Sequence, residues 1–313
     1  MDALTQVLKV LRLQPSAFHH LKLESPWGMQ LAAINGAAFH VVEEGQCWLR
    51  LGDILRPLKQ GDIIVVSNTA SYELVADAES PVLPLDQVLS HRGEDGYIRL
   101  GTEQTGLYTS LLCSYFRTEQ NAPFPLFSIL PPLIYIPGSA GRAIDWLAAP
   151  LELVAFEADH TYPGKETVIS RIMDILLIMV IRHWIVHQQD TNGGWLNALY
   201  HPLIGEVLGY MHRQPELPWT VESLAAAVHM SRSSLANQFT LLVGEAPMKY
   251  LTRWRMQLAA SHLLDDPAAT VEQVALGVGY ASPYAFSKTF KRWLGLSPTD
   301  YRQVHIKAPS TEV

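Results

Sequence analysis

Cysteine is almost absent from this chain: among 313 residues only Cys47 and Cys113 carry thiols. Two cysteines are too few for a disulfide framework and lack metal-ligand spacing, so reduced side chains in a reducing compartment are expected. Long apolar runs are missing as well. The most hydrophobic stretch, Ile172 to Val186, is interrupted by Asp174, Arg182 and His183 and is shorter than a bilayer crossing. It reads as a buried helix, and no membrane partner is expected. The opening MDALTQVLKV has no basic flank leading into an unbroken apolar region, which argues against a secretory signal and for the cytoplasm. Charge is sparse, at 17% of residues against 48% hydrophobic. That balance permits well-buried cores and excludes a largely disordered chain. At this length two domains of ordinary size are expected.

A basic excess is also lacking, since the net charge is −7. Taken alone, this opposes a nucleic-acid partner. The distribution of charge points the other way: residues 1–213 hold 14 Lys and Arg against 22 Asp and Glu, while residues 214–313 hold 9 against 8. Lys249, Arg253 and Arg255 crowd into one short C-terminal stretch, and Lys288, Lys291, Arg292 and Arg302 into another. Local cationic faces are therefore expected there.

The chain has a polar break at QQDTNGGWL, Gln188 to Leu196, and another at RQPELPW, Arg213 to Trp219. Downstream it repeats itself. TVESLAAAV at Thr220 returns as TVEQVALGV at Thr270, an offset of 50. One residue later in register, Ser231, Leu235, Phe239, Gly244, Pro247 and Tyr250 recur as Ser282, Phe286, Phe290, Gly295, Pro298 and Tyr301. Thr220 and Thr270 stand where a helix N-cap belongs, and Thr270 with Gln273 makes a capping-box pattern. Val221, Leu224, Ala225 and Val228 follow helical spacing, as do Val271, Val274, Ala275 and Val278. Ser231 and Ser282 cap a second helix in each copy, with Pro283 at a first helical position that needs no N–H donor. Small Ala225 and Ala275 allow close helix approach. The pattern is that of two helix-turn-helix units.

On these residues the segment from His201 to Ile306 resembles the tandem DNA-binding domain of AraC/XylS-type regulators. The run VALGVGYASPYAFSKTFKRWLGLSPTDYR, Val274 to Arg302, carries the resemblance most fully, whereas the first copy is more degenerate, with His229-Met230 at its turn. The likeness implies two units joined by a rigid helix, Met248 to Leu264, presenting both recognition helices to one face of the DNA. Leu235, Phe239, Phe286 and Phe290 must face the core, leaving Arg232, Ser233, Ala236, Asn237 and Gln238 free in the first unit. The second offers Pro283, Tyr284, Ser287, Lys288, Lys291 and Arg292. Asn237 and Gln238 can bond adenine bidentately, and Arg232 can meet guanine or phosphate. Lys288 resembles a base-reading position of the family, while Lys291 and Arg292 suit phosphates. An ordinary solvated helix face is the competing reading of such polar runs.

From Met29 to Ala78 the segments MQLAAINGAAFHVVEEG, CWLRL, DILRPLKQGDIIVVSN and YELVADA read as short strands with Gly-Asp turns. GQCWLRL and LKQGDIIVV resemble the cupin-type sensor of AraC-type regulators, including the RclR type. LLCSYFRTE and PLFSILPPLIYIPG look like the end of that barrel. The cupin pattern would supply several His and a Glu for a metal, but His40 stands alone in HVVEEG and Tyr72 occupies the place of an expected His. No metal, cofactor or catalytic residue is therefore expected, and His40 reads as structural. His19, His20 and the HRGEDG stretch from His91 read as exposed loop. Cys47 and Cys113 fall on expected strands; the RclR-type likeness makes them a candidate redox pair, although free cysteines are ordinarily buried hydrophobes and sensing needs a stabilised thiolate. Helices are expected at about 142–158 and 167–189, serving either dimerisation or internal packing.

The expected fold class is α+β: a cupin-like β-barrel with a helical connector over residues 1–195, then an all-α domain over 200–306 with helix-turn-helix motifs at about 220–244 and 270–295. The expected function is a sequence-specific transcription regulator, an activator answering a small-molecule or redox signal. Its expected partners are double-stranded DNA, RNA polymerase, a small-molecule effector and a second copy of the chain. A cupin enzyme with an appended nucleic-acid domain is the rival from another class, and no paired carboxylates or nucleophile-base pair favour it. A repressor-type anchor with a vestigial sensor is the third reading.

Overall fold

A computed structural model of the chain describes residues 14–34, 36–67, 71–77, 79–93, 98–100, 108–117, 130–139, 144–187, 195–199 and 201–307, with Thr5, Val7 and Phe127. The chain divides into two compact units. One holds Leu13–Thr118 and Leu130–Gln188; the other holds Gln189–Val313 with Met1–Arg12 and Glu119–Ile129. The linker residues 188–194 and the loop residues 94–96 lie outside the described residues.

The first unit is built on two sheets. A six-stranded sheet has the order β11(Leu133–Ile136), β6(Ile63–Ser67), β3(Gly36–Glu44), β10(Tyr108–Arg117), β1(Gln14–Glu24), β9(Ile98–Leu100). A five-stranded sheet has the order β5(Ile54–Lys59), β4(Gln46–Leu51), β7(Tyr72–Val75), β2(Gly28–Leu31), β8(Leu83–Pro84), followed by the short helix α1(Leu85–Leu89). Pairing is antiparallel except for β1 with β9 and β2 with β8. One apolar cluster joins the facing sides of both sheets, including Leu21, Leu23, Ala38, Val42, Ile64, Leu111 and Tyr115 from the larger and Met29, Cys47, Leu49, Leu58, Tyr72 and Leu74 from the smaller.

The opposite side of the larger sheet is buried too, through Ala37, Phe39, Val41, Ile63, Val65, Leu112 and Phe116. Two helices, α2(Asp145–Asp159) and α3(Lys165–His187), follow the strands, and α3 lies against β1 and β11. Burial on both faces explains why β3 reads AAFHVV, nearly continuous in apolar residues instead of alternating. Asp62 fixes the β5–β6 turn: its carboxylate accepts from the amides of Gly138 at 2.8 Å and Lys59 at 3.0 Å and from the Tyr135 hydroxyl at 3.1 Å.

One expectation needs correction. His19 and His20 do not lie in an exposed loop. They sit on β1, an eleven-residue strand between β10 and β9, with His19 only 9% exposed and His20 paired with Glu43. The segment MQLAAINGAAFHVVEEG divides into β2 and β3, the first ending at Leu31 and the second starting at Gly36. They enter different sheets, so the two halves of the segment serve opposite walls of the core.

The second unit is helical: α4(Trp195–Ala198), α5(Pro202–Arg213), α6(Val221–Ala227), α7(Arg232–Val243), α8(Pro247–Asp265), α9(Val271–Gly277), α10(Pro283–Leu294) and α11(Pro298–Lys307). Pro247 opens α8 at its first turn, where a missing donor costs nothing.

Candidate nucleic-acid interface

Each half of the helical unit is assembled by the same local devices. The Thr220 hydroxyl accepts from the Ser223 amide and the Ser223 side chain answers the Thr220 amide; Thr270 and Gln273 repeat this box. Only the second box is legible in the sequence, because serine serves at the third helical position of the first in place of the usual Glu or Gln. Each short helix ends in one turn: the Met230 amide donates to the Ala225 carbonyl at 2.9 Å, and the Tyr280 amide to the Ala275 carbonyl at 2.9 Å. The left-handed residue of the turn is His229, φ 55°, in the first unit and Gly279, φ 83°, in the second. The degenerate first turn therefore keeps the backbone geometry with a residue that resists it.

The second helices follow. Ser231 accepts from the Ser234 amide and Ser282 from the Ala285 amide, and Gly244 and Gly295 close α7 and α10 in left-handed caps. Leu235 and Phe239, like Phe286 and Phe290, are fully buried. In the second unit Phe290 packs edge-on against Tyr301, with ring centroids 5.5 Å apart, over Met256, Ala259, Ala260 and Leu263 of α8. In the first, a buried polar cluster sits beneath the helices. The Trp195 indole donates to the Tyr250 hydroxyl at 2.6 Å, and that hydroxyl lies 2.6 Å from His212 Nε2. An indole can only donate, so the Tyr250 oxygen accepts from Trp195, and the His212 ring stacks on Trp254 at 4.0 Å.

What remains outside is one face on each second helix. Arg232, Ser233, Asn237 and Gln238 are exposed on α7, with Ala236 half-buried. Pro283, Tyr284, Lys288, Lys291 and Arg292 are exposed on α10, with Ser287 half-buried. Tyr284 is 80% exposed, an unusual position for an aromatic ring in a folded domain. Arg232 is held at 2.8 Å by Glu222 of α6, which orients it across the turn.

In the other cationic groupings the arginines are engaged within the fold, while Lys249 is exposed. Arg253 is bonded to Glu245 at 2.8 Å through Nε and lies over the Tyr250 ring. Arg255 donates to the carbonyls of Pro215 and Leu217, both at 2.7 Å. Arg302 donates to Pro267 and Ala269. A carboxylate takes the Arg253 guanidinium and backbone carbonyls at loop ends take those of Arg255 and Arg302, which sequence proximity could not reveal.

In the sheet unit, a row of polar side chains crosses the interior. Cys113 on β10 stands directly between His19 on β1 and His40 on β3. His40 Nδ1 lies 2.9 Å from Cys113 Sγ and its Nε2 lies 2.6 Å from the Tyr72 hydroxyl, so the tyrosine standing where a histidine was expected is the partner of the remaining one. Burial pulls His40 down to about 3, and burial with Arg92, whose Nη2 is 2.6 Å from His19 Nδ1, pulls His19 down to about 4. Both imidazoles are thereby neutral at pH 7. Burial pushes the Cys47 thiol up to about 12 and raises Cys113 well above its ordinary value. Both cysteines are buried in the shared core, as thiols instead of thiolates. Among the described residues, no three His, Cys, Asp or Glu side chains are grouped so as to hold a metal ion. Tyr72, standing where the cupin pattern leads us to expect a histidine, is bonded to His40 and supplies no imidazole to such a group.

Two capped helix-turn-helix units, preceded in the chain by a two-sheet unit, define a DNA-binding transcription regulator. Residues 2–186 match the family described as Cupin, and residues 224–304 match the family described as Helix-turn-helix domain. The HTH-type transcriptional regulator AlkR of Acinetobacter baylyi is 32% identical over 97% of this chain and 99% of its own. The RCS-specific HTH-type transcriptional activator RclR of Escherichia coli is 28% identical over 97% of this chain and 98% of its own. Among solved structures, the DNA-binding domain of AdpA in complex with a target DNA aligns at 35% identity with a TM-score of 0.31, covering 33% of this chain and 92% of that one. The chain belongs to the AraC-like transcription regulators with an N-terminal cupin domain.

Proposed function

We propose that the chain reads two adjacent major-groove segments, through Arg232, Ser233, Ala236, Asn237 and Gln238 of α7 and Pro283, Tyr284, Ser287, Lys288, Lys291 and Arg292 of α10. The supporting observation is the duplicated exposed face, polar near the serine cap in α7 and cationic from Lys288 to Arg292 in α10, anchored in each helix by two buried residues four apart. Asn237 and Gln238 read bases, and Lys291 and Arg292 hold phosphates. Residues 1–195 form the sensor and 200–306 the reader. Binding, not catalysis, is the chain's work, and it acts as an activator on cytoplasmic DNA with RNA polymerase as its protein partner. The named activator role of the Escherichia coli relative supports the sign of regulation. Exposed Trp146, Leu153, Phe156 and Ile175 on α2 and α3 support pairing with a second copy of the chain.

Footprinting tests the reading. Protection of two groove segments about one helical turn apart on one DNA face is expected. Protection of a single segment would remove the second unit from the interface.

The signal enters through the barrel, as a small-molecule effector or by oxidation of Cys47 and Cys113. The redox route is supported by one observation, that both thiols belong to the same interior cluster. Oxidation has to follow an opening of that cluster, because neither thiol is exposed or ionised. A mild oxidant should change DNA affinity in the wild type and not in Cys47→Ser or Cys113→Ser. An unchanged response in the double variant leaves the small-molecule route.

A further inference from the structure

The two helix-turn-helix units touch beside the helix that joins them. The first unit packs on the N-terminal half of α8, through Tyr250, Leu251 and Trp254, and the second on its C-terminal half, through Met256, Ala259, Ala260 and Leu263. Arg255 lies between these halves. Its Nε donates to the Pro215 carbonyl and its Nη2 to the Leu217 carbonyl, both at 2.7 Å, so it grips the loop that enters the first unit's α6. The same guanidinium lies 5.9 Å from the centroid of the Tyr280 ring, in the turn of the second unit. That turn touches the first unit's loop directly: a Cβ on Gly279 would stand 2.7 Å from the Glu216 carbonyl oxygen and 2.9 Å from Arg255 Nη2. Loop, guanidinium and turn thus form one stack across the two units.

We propose that Arg255 is a positioning residue that fixes the rotation of one recognition helix relative to the other, and so sets the spacing of DNA half-sites the protein accepts. This rests on the two-groove reading above. A single helix of nineteen residues resists bending, but the angle at which each unit sits on it depends on side-chain packing that can slide. Two charge-assisted bonds to carbonyls two residues apart, made by one planar group, remove that freedom. On DNA the consequence is angular. Inserting one base pair between half-sites turns the second groove by about a tenth of a turn, since one turn takes about 10–10.5 base pairs. A locked pair of units cannot follow that turn, whereas a loosened pair can.

The test uses the full-length chain and duplexes it selects from a random pool, then the same duplexes with one base pair inserted or with one half-site scrambled. The wild type should lose about tenfold in affinity on the insertion. Arg255→Met should lose less than about threefold on that insertion while its affinity for the half-site duplex stays within about twofold of wild type. Arg255→Lys keeps the charge but cannot bond both carbonyls as a fork, and should behave like the Met variant with its circular dichroism intact. An independent readout needs no DNA: spin labels at Leu241→Cys and Leu276→Cys, both exposed, in a chain whose own cysteines are buried. The distance distribution should be narrow with Arg255 and broad in both variants. Equal insertion penalties, or equally narrow distributions, in wild type and variants would overturn the proposal. If scrambling a half-site costs the wild type nothing, the two-groove reading fails instead, and the distance distributions still decide whether Arg255 locks the units.

Discussion

Acidification should destabilise the sheet unit by an amount set by two histidines. His19 and His40 are buried neutral, with folded values near 4 and 3, whereas in the unfolded chain each titrates at about 6.5. The lowered folded values mean that below pH 6.5 the unfolded chain binds protons the folded chain refuses, so stability falls as pH falls through that window. Between pH 7 and pH 5 the linkage integral gives a loss of about 2 kcal/mol for each histidine. This figure hardly depends on how deep the folded values lie, because at pH 5 both rings are still neutral in the folded state and the unfolded chain alone takes up protons. Among the described residues, the groups that face them are not carboxylates: His40 meets Cys113, Tyr72 and Tyr115, and His19 meets Arg92, Tyr115 and, across the strand, Cys113. Urea unfolding of the full chain at pH 7, 6 and 5, with calorimetry to separate the two units, measures the loss. His40→Gln and His19→Gln should each cut the pH-dependent part by about half, whatever they do to stability at pH 7. A sheet unit that loses less than about 1 kcal/mol between pH 7 and 5, or variants with the wild-type slope, would refute the neutral buried pair.

The two turns should respond oppositely to glycine chemistry. Gly279→Ala adds a left-handed penalty to a backbone clash with Glu216 and should cost about 2 kcal/mol or more in thermal unfolding, while His229→Gly should change stability by less than about 1 kcal/mol, since relief of strain is offset by a looser unfolded chain. Asp62→Ala strands three donors and should cost about 3 kcal/mol in denaturant unfolding; a loss below about 1 kcal/mol would mean the turn holds without its carboxylate. On DNA, Asn237→Ala should relax preference at one base by about 1–3 kcal/mol, and Lys291→Ala should weaken all sequences alike and lower the salt slope by about 1. Equal losses on selected and random duplexes for Asn237→Ala would exclude a base contact.

The sequence by itself determined the helical half of this protein. Caps at Thr220, Ser231, Thr270 and Ser282, stops at Gly244 and Gly295, and buried pairs four apart all act within one or two helical turns, so residues close in the chain carry the whole instruction. The duplication made it legible twice, and the exposed faces of α7 and α10 followed by subtraction of the buried positions. The sheet half was legible only in outline. Whether His19 lies in a loop or a core depends on a register with Cys113, ninety-four residues away, which no local pattern encodes. Likewise the partner of His40 is a tyrosine on the facing sheet, and its ionisation follows from burial that only closure of the two sheets produces. The arginines divide in the same way. Lys291 and Arg292 are exposed because their helix turns them outward, while Arg253, Arg255 and Arg302, equally cationic in the sequence, are taken by carboxylates and carbonyls from elsewhere in the fold. Tertiary structure alone decides that division, because a guanidinium goes to whichever acceptors packing brings within reach.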